Sequence, residues 1–460
     1  MKTSYLGYCV LVSALLLTSC QEEKVSEEVQ DNTPLLTVQV EEGYLLSDEN
    51  ILEREWLFVS TDDGEVLRTQ EVVNGENLTI KRPEGAADES FTISRARVFE
   101  RLDTQKQFLY LLSYTDVSSQ NWVFEGKDIT SDNPGAPSVP SLYEVEGSFV
   151  SSSLLYAIHA KGNLSVERQA TPISDGFQVD FKAFIEEEKA PLYINIFDDQ
   201  PQYLYTDVEF GKEYSFTPQD FKPMNLVKTI QLPSLASAST AVYGTAIDGT
   251  WIIAYQSVLS EGKSEISYYL PEHDFKKLDY IFRANVDERV NYYRSDYNNI
   301  PDNYDIPSSV SYQINENKLN NFSASADLAS DFWLVSSFSH ERNHKVERAS
   351  IHVNGGNNQN IAFAITLPEE IAQEYPAVAD RLDNFSLERI NLSNYNNIDS
   401  YQEYTATLYD QLSLGNSFYE NISINISDSE NGRWDTASST QTNYREDLYG
   451  PGGKYDPANW

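Results

Sequence analysis

Apolar residues recur at every second position, in short runs closed by turn residues, along most of this chain. That period fits a strand with one face toward a core and one toward water, and it does not fit a helix. In Thr37-Val38-Gln39-Val40-Glu41, both valines fall on one face. Trp56 to Ser60 is a second such run, Asp62-Asp63-Gly64 supplies turn chemistry, and Val66 to Val73 returns as a third. Leu78-Thr79-Ile80, Phe91-Thr92-Ile93 and Phe108 to Tyr114 continue the series. Composition agrees: there are 30 Tyr against 2 Met, and tyrosine suits a half-buried strand position.

The expected fold is all-β, a tandem of antiparallel, immunoglobulin-like β-sandwich domains with a larger C-terminal β-rich domain and little helix. Residues 34–126 form the first sandwich. Residues 127–141, with Asp132-Asn133-Pro134-Gly135-Ala136-Pro137, read as a linker. Residues 142–235 form a second sandwich, with strands at Leu154 to Ala160, Gly176 to Phe184, Leu192 to Phe197 and Gln202 to Phe210. Residues 236–460 form the last unit, as one domain or two, and lose their pattern from Ser427 onward. The one expected helix spans Pro368 to Leu382, split or kinked at Pro376. Polar-aromatic loops are expected at 291–306 and 391–404, which would give the last unit the binding function and leave the first two as spacers.

The N-terminus has a different character. Lys2 precedes a short apolar core, Val10 to Leu17, and Leu17-Thr18-Ser19-Cys20 closes it. The core is too short to span a bilayer. This segment resembles a bacterial lipoprotein signal, in which the cysteine is lipidated and becomes the mature N-terminus. The resemblance implies a signal peptide at 1–19 and a covalent lipid at Cys20. The acidic run Gln21 to Glu28 then reads as a tether over 20–33, and it resembles the export tag of surface lipoproteins of Bacteroidota. The implied location is the outer membrane, facing out from the cell. The resemblance covers about the first 30 residues and implies no activity.

Charge and cysteine content narrow the chemistry. A formal charge of -38 repels phosphate backbones and anionic headgroups, so no nucleic-acid partner is expected. The two cysteines are Cys9, inside the signal, and Cys20. The mature chain therefore has no intramolecular disulfide, thiolate catalyst or cysteine metal site.

Two segments carry possible metal chemistry. His340-Glu341-Arg342-Asn343-His344 matches H-E-x-x-H, which in zinc proteases places two histidines on one helix face. Here Phe332 to Phe338 and Val346 to Val353 flank it as strands, so a hairpin turn is the expected reading. A zinc site would need His340 and His344 to face each other across the hairpin, with His352 nearby. Asp296, Asn298, Asp302 and Asp305 supply hard oxygen donors for Ca²⁺, although EF-hand spacing is absent and an irregular loop has the same composition. No other cofactor is expected. Trp122, Trp251 and Trp333 are candidate stacking platforms for sugars, with burial in the core as the alternative.

The expected function is non-catalytic binding, of a glycan or of a protein partner in a surface complex. The first alternative is a polysaccharide-degrading glycoside hydrolase with its acids in 236–460, the second a zinc metalloprotease at the H-E-x-x-H segment.

Overall fold

The computed structural model describes residues 34–45, 50–82, 90–126, 143–161, 166–185, 187–233, 235, 237–259, 264–356, 360–383, 385–395, 398, 400–407 and 419–426. The signal segment, the tether with Cys20, the 127–141 linker and the tail from Ser427 lie outside the described residues.

The first stretch holds β1 (Pro34–Val40), β2 (Ile51–Ser60), β3 (Val66–Glu71), β4 (Asn77–Lys81), β5 (Phe91–Arg101), β6 (Gln107–Val117) and β7 (Gln120–Phe124). The second holds β8 (Tyr143–Ser151), β9 (Tyr156–Ala160), β10 (Val166–Ile173), β11 (Gly176–Ile185), β12 (Lys189–Ile196), β13 (Gln202–Glu209), β14 (Glu213–Phe216) and β15 (Lys222–Pro223). The remainder runs β16 (Asn225–Gln231), β17 (Ser237–Ala246), β18 (Trp251–Leu259), β19 (Glu265–Leu270), β20 (Phe275–Asn285), β21 (Val290–Tyr297), β22 (Tyr312–Lys318), β23 (Asn321–Ala326), β24 (Phe332–His340), β25 (Val346–Gly356) and β26 (Ile361–Phe363). Then follow α1 (Glu369–Glu374), α2 (Pro376–Asp383), β27 (Arg389–Tyr395), α3 (Tyr401–Thr407) and β28 (Tyr419–Asn425). The chain is all-β with short helices. Among the described residues, pairing is antiparallel except between β1 and β7, β8 and β14, and β25 and β6.

One sheet organises the molecule. Twelve strands lie in the order β18-β17-β20-β21-β28-β27-β24-β25-β6-β5-β2-β3. It joins strands from the first and last stretches of the sequence through the parallel β25–β6 pairing, Val346 to Asn354 beside Gln107 to Tyr114. Its inner face is apolar along its length. Trp56, Val98, Leu111, Ile351, Val335 and Ile390 meet the small β22-β23-β26 sheet and the α1–α2 pair. Phe282, Val242 and Ala254 meet the β16-β19 pair.

At the β2–β6 end the outer face is covered as well. Leu57, Ile93 and Tyr114 pack there on the β4-β1-β7 sheet through Val38, Leu78 and Trp122. Strands β2, β5 and β6 are thus buried on both faces, which is why their sequences are nearly continuous runs of buried residues. The turn at Gly64 takes φ +85, and a Cβ there would sit 3.0 Å from Ala364, so glycine serves both the turn and the contact.

The second stretch is a sandwich of its own. Sheet β10-β11-β8-β14 stacks on sheet β15-β13-β12-β9 through Val145, Phe181, Leu192 and Ile194.

Three sequence expectations need correction. Residues 291–297 belong to β21, because Tyr292 rather than an aliphatic residue fills the core position. Residues 391–395 belong to β27, where Ile390 and Leu392 face inward and Asn and Ser alternate with them. The helix at 369–383 splits into α1 and α2 at Pro376 as expected, but α3 adds a helix where a loop was expected. Its Tyr401 and Tyr404 pack on Phe332.

Candidate functional site

Where the second sandwich meets the large sheet, aromatic side chains line up in register. His159 on β9, Tyr193 on β12 and Tyr205 on β13 are direct cross-strand partners and share one face. Adjacent strands are ~4.8 Å apart, so these rings span about 10 Å. Tyr193 and Tyr205 stack at 4.7 Å. His273, from the turn between β19 and β20, packs 4.9 Å from Tyr205 and 5.5 Å from Tyr193. At the other end, Trp251 meets His159 edge-on at 5.6 Å and stacks on Tyr243 at 5.0 Å. The row therefore runs Tyr243, Trp251, His159, Tyr193, Tyr205, His273.

Two rings in this row face water. Trp251 is 44% exposed and Tyr205 45% exposed, on either side of the buried Tyr193. Large exposed aromatics rimmed by polar groups mark interaction surfaces. The polar groups are at hand. The Tyr193 hydroxyl lies 3.5 Å from both Asp248 Oδ2 and His273 Nε2. Burial, and then the Asp248 carboxylate, push the Tyr193 phenol up, so it stays a donor. Asp248 is itself held by the Thr250 N–H, which donates to Oδ1 at 2.9 Å.

The strand under the row is tied to the second sandwich by two hydrogen bonds. Strand β18 is an edge of the twelve-stranded sheet, and an edge leaves backbone groups unpaired. At Ile253 both are satisfied from the second sandwich. The Ile253 N–H donates to His159 Nε2 at 3.1 Å, and Asn195 Nδ2 donates to the Ile253 carbonyl at 2.7 Å. Accepting that bond requires a neutral imidazole. Burial, reinforced by the charge of Arg168, brings His159 down to about 4.

Of the tryptophans singled out by sequence, Trp122 and Trp333 lie in the core, at 1% and 3% exposure, and only Trp251 is accessible. Tyr193, Tyr205 and His159 were not visible as site residues in sequence, because their alignment depends on strand register. The row also draws on β9, β12 and β13, so it does not belong to the last unit alone.

The H-E-x-x-H segment forms the end of β24 and the turn into β25. His340 pairs in the ladder with Arg348, not with His344, because the turn spans 341–345. His340 Nε2 lies 3.2 Å from Glu347 Oε1. His344 Nδ1 accepts the Val346 N–H at 3.1 Å. Glu341 is ion-paired to Arg381 of α2. His352 pairs with Ser336 and sits four residues beyond Arg348, ~13 Å along the strand. Its Nε2 lies 2.8 Å from Ser350 Oγ. The three histidines are not brought together.

The oxygen donors are also dispersed. Asp296 takes both arms of Arg294 at 2.9 Å, Asn298 Oδ1 accepts the Leu278 N–H at 2.8 Å, Asp302 pairs with Lys228 at 2.7 Å, and Asp305 accepts from Asn303 at 2.8 Å. Among the described residues, no group of three or more His, Cys, Asp or Glu is placed to share a metal ion.

A second concentration of ionisable groups lies in the first stretch. Glu55, fully buried, receives Arg95 Nε at 2.6 Å and Arg97 Nε at 2.5 Å. Arg97 also reaches Glu53 at 3.1 Å. The Tyr44 hydroxyl donates to Glu55 at 3.0 Å and accepts from both arginines. Burial alone would raise the Glu55 carboxyl, but the two arginine charges and their hydrogen bonds outweigh it and bring it down to about 2. A carboxylate so strongly ionised is no general acid, and this cluster is structural.

Neither a protein-family model nor a curated protein matches the chain. Among solved structures, the Bacillus anthracis TIE protein aligns over 71% of this chain and 71% of its own, with 11% identity and a TM-score of 0.13. At that score nothing is carried over from it.

Proposed function

We propose that this chain is a surface lipoprotein, anchored through Cys20, that binds glycans without catalysis. The observation that carries the reading is the exposed Trp251, stacked on Tyr243 and held at the end of a row that also exposes Tyr205. Aromatic faces receive the C–H faces of sugar rings. Asp248, His273 and the Tyr193 hydroxyl supply polar partners of the kind that sugar hydroxyls take. The acidic surface favours uncharged ligands over sulfated or uronate-rich ones. Nucleic acid is no partner on the same argument.

A glycan array on the soluble chain from residue 21 tests the reading, followed by Trp251→Ala and Tyr205→Ala on any hit. Each substitution should weaken binding at least tenfold, about 1.4 kcal/mol, with little change in melting temperature. Binding that is unaffected by Trp251→Ala would sink the proposal. Release of shorter sugars from a bound polysaccharide would favour a hydrolase instead.

A further inference from the structure

Trp251 also begins a second alignment, on the outer face of the large sheet. Trp251, Thr245 and Lys277 are direct cross-strand partners on β18, β17 and β20. The next row on the same face reads Tyr243, Asp279 and Tyr297, on β17, β20 and β21. Next to them in sequence, Ala246, Ile252 and Tyr280 face the core, whereas all six are half-buried or exposed.

The long side chains stand at the two ends of this patch. At one end Trp251 stacks on Tyr243 at 5.0 Å. At the other, Lys277 Nζ lies 4.2 Å from the centre of the Tyr297 ring. The short Thr245 lies between Trp251 and Lys277, so the row is high at both ends and low in the middle. Two strand spacings of ~4.8 Å separate Trp251 from Lys277, about 10 Å in all.

Lys277 is held as well as placed. Besides the Tyr297 ring under it, its ammonium lies 3.8 Å from Asp279 Oδ2. Asp279 is mostly covered, with 13% of its side chain exposed, and holds the lysine rather than meeting a ligand. The Lys277 side chain remains 37% exposed and is open to one. Fixing a lysine costs side-chain entropy, and a partly exposed ion pair returns little stability. Stability alone therefore does not account for the arrangement. A donor fixed beforehand does serve binding, because its ordering cost is already met when the ligand arrives.

We infer that Lys277 determines specificity at the Trp251 site, donating from its ammonium to hydroxyls of the sugar that follows the one stacked on Trp251. The inference rests on the glycan reading of that site and narrows it to a ligand of at least two linked rings. Such a chain would cross Thr245 from β18 to β20. The ammonium has three donors, and sugar hydroxyls accept them. Asp279 offsets the lysine charge locally, so the pair matches a neutral sugar.

Calorimetric titration with neutral gluco-, manno- and xylo-oligosaccharides of increasing length tests it, on the chain from residue 21 and on Lys277→Met, Lys277→Arg and Trp251→Ala. Methionine keeps an unbranched chain over Tyr297 and removes the donor; arginine keeps a donor. Lys277→Met should lose at least tenfold in affinity for glycans of two or more units, with an unchanged melting temperature, and Lys277→Arg should retain most of that affinity. If Lys277→Met melts early, Lys277→Gln carries the same comparison. Unchanged binding in folded Lys277→Met, with Trp251→Ala weakened, overturns the inference and leaves the Trp251 reading intact. Equal losses in the methionine and arginine variants also overturn it, because the shape of the patch and not the donor would then matter. Binding that survives Trp251→Ala overturns the Trp251 reading and the inference with it, as does absence of binding to any neutral glycan.

Discussion

His159 Nε2 accepts the backbone N–H of Ile253 at 3.1 Å, joining the second sandwich to the open edge of the twelve-stranded sheet. The bond exists only while the imidazole is neutral. Folding brings His159 from 6.5 down to about 4, so between those values the unfolded chain binds the extra proton. Stability therefore rises with pH across that window. It is fully present above about pH 6.5 and lost progressively toward pH 4. The His159 shift corresponds to roughly 3 kcal/mol. His352, lowered to about 4 by burial, acts in the same direction. Thermal melts from pH 7.5 to 4.5 should show a falling Tm, and His159→Gln, which keeps an acceptor but does not titrate, should flatten the slope. Equal slopes in the two proteins would show that the latch does not matter.

The Glu55 cluster makes a prediction of larger size. Glu55→Ala leaves Arg95 and Arg97 buried beside each other without their shared counter-charge, and should cost about 3–5 kcal/mol. Because the folded carboxyl sits near 2, its contribution is present above about pH 4.5 and is lost as the pH falls toward 2. Urea midpoints of wild type and variant at pH 7 and pH 3 check both statements. The gap between the two proteins should narrow at the lower pH.

Strand positions were readable from period and turn chemistry, because a strand with one dry face must alternate. Residues 176–184 and 202–210 were placed within about a residue of β11 and β13 for that reason. What the sequence did not display was partnership between distant strands. Nothing near Leu109 or Ile351 announces that β6 and β25 lie side by side, since both read only as apolar strands. The same limit hid the aromatic row. His159, Tyr193 and Tyr205 are unremarkable alone and become a surface only through the β9-β12-β13 register. Strand β27 was missed for a different reason: Asn391 and Ser393 look like loop residues, although Ile390 and Leu392 between and beside them keep the strand alternation.

Lipid attachment at Cys20 is open to direct labelling. Palmitate label should enter wild type and be absent from Cys20→Ala, and the variant should leave the membrane fraction. No cysteine follows Cys20, so a reducing agent should leave the Tm of the mature chain unchanged. A shift with reductant, or equal labelling of the two proteins, would contradict the reading of the N-terminus.

Truncation after residue 235 separates the sequence picture of spacers and a binding unit from the sheet as it is built. The spacer picture leaves residues 21–235 folded. The sheet argues otherwise, because β6 would lose β25 along Gln107 to Tyr114 and expose an open edge. Trp56, Phe58, Ala96, Val98, Leu109 and Leu111 would lose the residues of the last stretch that cover them. At about 1.5–3 kcal/mol for each large apolar side chain, the loss is of order 10 kcal/mol, as large as the whole stability of a typical domain. The second sandwich pairs its two sheets with each other and keeps its own core. Limited proteolysis of the truncated chain, read by mass spectrometry, should therefore show early cuts within 34–126 and lasting protection of 143–223. Equal protection of both segments would mean that the first stretch folds without its partners in the sheet.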